Sequence, residues 1–129
     1  MRRCIPTFFT AGILLSLCLS AALAQTAPAT TSDTSKGKAL VDGKSMTLYV
    51  FDRDTAGTSN CNGQCATNWP PLMAAAGATG SGQWMVVTRG DGSKQWAYKG
   101  KPVYTFSKDA KPGDVTGDGV NSVWHIAAP

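Results

Sequence analysis

Cys61-Asn62-Gly63-Gln64-Cys65 is the stretch of this 129-residue chain where two oxidisable side chains lie closest together. A C-x3-C spacing admits three kinds of chemistry. In an oxidising compartment the pair closes a disulfide that pins a short turn or one turn of helix. In reduced form the two thiolates suit Cu(I), with His125 as the nitrogen ligand and Met46, Met73 or Met85 as a thioether. Reversible redox exchange is the third, although the C-x-x-C spacing of thiol oxidoreductases is absent. The disulfide, with no cofactor, is the leading reading; the copper site is the alternative.

Other residues offer less. Asp114-Val115-Thr116-Gly117-Asp118-Gly119 opens like a calcium loop, but the twelfth position holds His125 instead of Glu. It reads as a Gly-rich turn. Asp52 and Asp54 are two apart and flank Arg53, as expected of a solvated strand end rather than an acid–base pair. Trp84 and Trp96 can pair across a Gly90-Asp91-Gly92 hairpin, either packed or open as a stacking platform. His125 is the chain's single histidine, and all eight acids are Asp. One His and no Glu exclude a two-His metal site and a catalytic Glu. No nucleophile–base constellation is visible, so the reading leans away from an enzyme.

The front of the chain decides where this chemistry takes place. Arg2-Arg3, an apolar run and Ala22-Leu23-Ala24 form a signal peptide over residues 1–24. A lipid anchor at Cys18 is the rival, disfavoured because Leu17 stands where a small residue belongs. Either route predicts a periplasmic or secreted protein with no transmembrane segment in the mature chain. Losing Arg2 and Arg3 leaves ten basic residues against eight Asp, a net charge near +2 that makes no case for nucleic acid. The partner is unknown.

The elements that must position these residues are short. Residues 25–38 are Thr-, Ala- and Ser-rich without apolar periodicity, and read as a flexible tether. From residue 39 onward, Gly- and Asp-marked turns separate runs rich in aromatic and β-branched residues: 46–51, 83–88, 94–98, 102–106 and 123–127. Apolar residues face both ways around Tyr49, which predicts a strand buried on both sides. Helical turns are expected between Asn60 and Asn68 and around 119–123. The result is a mainly β, small single domain.

The chain also matches itself at an offset of 55 residues. Lys44, Tyr49, Phe51, Asp54 and Trp69 fall on Lys99, Tyr104, Phe106, Asp109 and Trp124, five identities over 31 pairs. Two pseudo-symmetric strand-hairpin repeats follow, about 39–74 and 94–129, each too small to hold a core alone. Tyr and Phe two apart share a strand face, and each Trp can close over such a plate. Asp54 and Asp109 are expected to accept backbone N–H groups of the loops that follow.

Tyr49-Val50-Phe51-Asp52-Arg53-Asp54 and Tyr104-Thr105-Phe106-Ser107-Lys108-Asp109 resemble the Y-x4-D signature of bacterial secreted repeat, or lipoprotein repeat, proteins. The cysteine loop running into Trp69-Pro70-Pro71-Leu72 and the closing Trp124-His125-Ile126-Ala127 are similar to the same family. The resemblance implies an exported cell-envelope protein of unknown molecular role, most simply a non-enzymatic binding or structural domain. Some relatives carry a label of alkane catabolism. These residues cannot supply the iron sites that alkane oxidation uses.

Overall fold

The computed structural model describes residues 27–129. The leader over 1–24 and Cys18 lie outside them. β1 (Thr30–Thr34) and β2 (Gly37–Val41) form an antiparallel hairpin, with Thr30 opposite Val41 and Thr34 opposite Gly37. This corrects the tether expected over 25–38 and the fold start expected at 39. β1 is mostly exposed, so it carries no apolar alternation to read. Its threonines favour extended backbone, and its partner β2 buries Ala39, Leu40 and Val41.

The chain then turns around Asp42, whose Oδ1 accepts the N–H groups of Lys44 at 2.8 Å and Met46 at 2.9 Å. It continues through β3 (Tyr49–Phe51) and α1 (Gln64–Asn68), then β4 (Trp84–Thr88), β5 (Lys94–Tyr98) and β6 (Lys101–Tyr104). A 3-10 turn at Val120–Ser122 leads into β7 (Trp124–Ile126). The last four strands form one five-stranded antiparallel sheet with β3, in the order β4-β5-β6-β3-β7. The domain is mainly β, and its helical turns fall in the two expected loops.

Tyr49 lies directly opposite Tyr104 in the β3–β6 ladder. These are equivalent residues of the two repeats, so a pseudo-twofold axis passes between them. Bonds on either side obey it. Asp52 N–H reaches the Val123 carbonyl at 2.8 Å, and its counterpart Ser107 N–H reaches that of Asn68 at 2.9 Å. Ala127 N–H reaches Leu48, and Leu72 N–H reaches Val103. The hairpin β4–β5 occupies in the second repeat the place that β1–β2 holds in the first.

The central strand is buried on both faces. On one face Tyr49, Trp69, Tyr104, Phe106 and Trp124 pack together with Cys61. On the other, Leu40, Leu48, Val103 and Ala127 form a second cluster. The first holds a continuous stack of four rings: Phe51 on Trp124 at 4.3 Å, Trp124 on Trp69 at 3.8 Å, and Trp69 on Phe106 at 3.9 Å. Each Trp therefore stacks on the Phe of the other repeat. Such pairs add ~1 kcal/mol each beyond the area they bury. Gly117 lets the second loop close over this stack, since a Cβ there would lie 2.8 Å from the Trp69 ring and 2.9 Å from Tyr49.

Candidate functional site

The repeated polar residues meet across the twofold. Tyr49 Oη donates to Asp109 Oδ2 at 2.6 Å, and Tyr104 Oη donates to Asp54 Oδ2 at 2.6 Å. The tyrosine of each repeat thus binds the aspartate of the other. The second oxygen of each carboxylate holds its own loop: Asp54 Oδ1 accepts Asn60 N–H at 2.6 Å, and Asp109 Oδ1 accepts Thr116 N–H at 3.0 Å and the Thr116 hydroxyl. Burial, reinforced by the carboxylate partner, pushes both phenols well above their ordinary range. Burial also raises Asp54, against the opposing pull of Tyr104, the Asn60 N–H and the Arg89 charge.

Arg89 follows β4 and is 6% exposed. Its guanidinium donates to Ser59 Oγ at 2.9 Å, Gln95 Oε1 at 2.8 Å and the Cys61 carbonyl at 2.5 Å. Ser59 in turn bonds Tyr104 Oη at 2.6 Å. A buried cation therefore connects through Ser59 and Tyr104 to the Asp54 carboxylate. Sequence reasoning missed Arg89. The only available signal was a long cation directly after an apolar strand and before a Gly-Asp-Gly turn.

Cys61 and Cys65 form a disulfide with a Cα separation of 5.2 Å. Cys61 is fully buried beside the Trp124 cluster, and the bridge ties the loop to the first turn of α1. His125 sits elsewhere. Its Nε2 lies 2.6 Å from Asp52 Oδ2, with the two side chains 46% and 51% exposed. No group of three His, Cys, Asp or Glu that could hold a metal ion occurs among the described residues. Cys61, Cys65 and His125 are therefore not brought together. Met73 and Met85 are exposed.

The remaining candidates are placed as follows. Asp114 Oδ2 accepts the N–H groups of Ala110 and Lys111, and Asp118 Oδ1 accepts that of Ile126, so both serve as turn and strand-end acceptors. Trp84 and Trp96 meet edge to face at 6.3 Å, half-buried against the second core cluster. They are packed and do not form an open plate.

The Asp52–His125 pair borders a trough on the sheet face opposite the ring stack. Its larger part has a cavity volume of about 430 Å³ and is walled by Val50, Tyr98, Lys99, Lys101, Ile126 and the pair itself. A second part of about 260 Å³ shares Val50, Asp52, Lys99 and Lys101, and runs toward Thr55 and Gly100. Lys99 and Gly100 form the two-residue turn between β5 and β6, with φ of 51° and 81°. Asn-Gly is the usual choice for such a turn. Lysine at positive φ is disfavoured by ~1 kcal/mol. Its ammonium lies 5.2 Å from the centre of the Tyr98 ring.

A family described as a secreted repeat of unknown function matches residues 30–73 and again 85–128. The chain belongs to this secreted-repeat family. Its two matches start 55 residues apart, the offset that places Tyr49 on Tyr104. The first opens at β1, so the hairpin β1–β2 is part of the secreted repeat rather than a lead-in to it. No curated protein and no solved structure matches the chain. Among the described residues, no helix is long and apolar enough to cross a membrane.

Proposed function

We propose that this secreted-repeat protein is an exported, non-enzymatic binding domain of the cell envelope, delivered to the periplasm or exterior by the signal peptide over 1–24. Its twofold core is a scaffold, and its ligand contacts come from the trough, most of whose charged residues are unrepeated. The pseudo-symmetry carries this reading, because it acts as an internal control. A residue the fold requires should recur in both repeats. Of the five that recur, Tyr, Phe, Asp and Trp are spent on the core, and the fifth, Lys44 and Lys99, lies outside it. Three charged trough residues do not recur: Asp52, Lys101 and His125 have Ser107, Met46 and Pro70 as their counterparts, whereas Lys99 falls on Lys44. The fold therefore does not demand charge at those three positions.

The reading disfavours catalysis on chemical grounds. Among the described residues the His125 ring bonds Asp52, and no hydroxyl or thiol hydrogen-bonds it to be activated. Nor does it rely on copper, since both sulfurs are held in the disulfide.

The test uses the mature protein carrying Asp52→Asn, Lys101→Met and His125→Gln together. The triple variant should unfold within a few degrees of wild type yet lose the thermal shift that small-molecule ligands give the wild-type chain. Collapse of the fold, or turnover of ester or glycoside substrates abolished by His125→Gln, would sink the reading.

A further inference from the structure

We propose that the trough binds a small monoanion, a carboxylate carried on a short apolar body, with Lys99 and Lys101 as the anchoring cations. This rests on the binding-domain reading above and names its ligand class.

Three observations converge. Ion pairs among the described residues join Lys36 to Asp118, Lys38 to Asp33 and His125 to Asp52; none takes Lys99 or Lys101. Two uncompensated ammonium groups therefore border one cavity, and Lys99 is fixed there by its turn and by the Tyr98 ring. Second, the turn would form more readily with Asn at position 99. Lys99 falls on Lys44 of the first repeat, whereas Lys101 falls on Met46, so Lys101 is the lysine that the repeat does not account for. Third, beyond the charged groups the wall is Val50, Tyr98, Ile126, Ala127, Ala128 and Pro129, whose side chains make a mostly apolar bed. A cavity of about 430 Å³ is within the range of small-molecule sites.

Asp52 sets the charge of the ligand. Its carboxylate stands on the same wall, and it penalises a dianion more than a monoanion. A carboxylate is thereby favoured over a phosphate monoester of the same body. His125 hydrogen-bonds Asp52 and leaves that carboxylate on the wall.

Hexanoate, hexyl phosphate and hexanol, titrated into the isotope-labelled mature protein and followed by backbone amide shifts, separate the possibilities. Hexanoate should shift the amides of Val50, Lys99, Lys101 and His125 saturably, at least tenfold more tightly than hexanol. Added salt should weaken it. Lys99→Asn should reduce that affinity at least fivefold while leaving the domain no less heat-stable than wild type, because Asn suits the turn. Lys101→Glu should abolish binding.

Hexanol binding as tightly as hexanoate would overturn the anion assignment and leave the binding-domain reading standing. Tighter hexyl phosphate would overturn the carboxylate assignment alone. No saturable shift from any of the three at these amides would overturn both.

Discussion

Tyr49 and Tyr104 carry the burden of joining the two repeats, and their titration exposes it. Each phenol is held above its ordinary value of about 10 by burial. The folded chain keeps two protons that the unfolded chain releases in alkali. Stability from this pair is therefore complete below pH 10 and is lost as pH rises further. Urea unfolding of Tyr49→Phe and Tyr104→Phe should each lose ~2 kcal/mol at neutral pH, because the buried Asp109 or the half-buried Asp54 forfeits its donor. Each variant should also lose one proton's share of the alkaline dependence. Asp54 runs in the same direction: its raised value makes its contribution complete below the carboxylate range and smaller above it, so acid does not unfold the domain through Asp54. Arg89→Met should cost about 3 kcal/mol, leaving Ser59, Gln95 and the Cys61 carbonyl without their donor. A loss below about 1 kcal/mol in the same urea titration would contradict the bonding described for it.

At the level of elements, the disulfide is local. Its five-residue loop removes little chain entropy, about 2 kcal/mol on the loop-closure account. Cys61→Ala with Cys65→Ala should lower stability by no more than that, and hydrogen exchange should rise first in the 59–68 loop and α1 while β5 and β6 keep their protection. Loss of protection through the whole sheet would show that the bridge does more. The elements also show what a sequence can and cannot convey. β3 through β7 were legible because aromatic and β-branched runs sit between Gly turns. β1 was not, since a mostly exposed threonine strand has no apolar period, and its evidence is the partner it pairs with. Arg89 was hidden for a related reason: nothing local says that a cation is buried until Ser59, Gln95 and Cys61 converge on it. Lys99 and Lys101 fall between the runs 94–98 and 102–106, and only the meeting of β3, β6 and β7 makes them the wall of a trough.

For the whole molecule, the offset of 55 residues revealed the repeat but not how the copies engage. Each Tyr-Asp motif looks self-contained in the chain, and in space each is completed by the other. The reason is geometric. Equivalent tyrosines face one another in an antiparallel ladder, so each side chain extends past the axis toward the opposite loop. The ring stack repeats the exchange, with each Trp on the other repeat's Phe. Neither repeat should hold a fold without its companion. The most direct test is residue-resolved hydrogen exchange on Asp109→Ala, a change made in the second repeat. The account predicts that the slowest amides of both repeats, at 48–51 and at 103–106, lose the same ~2 kcal/mol of protection. Loss confined to 85–128, with the first repeat as protected as in wild type, would contradict it.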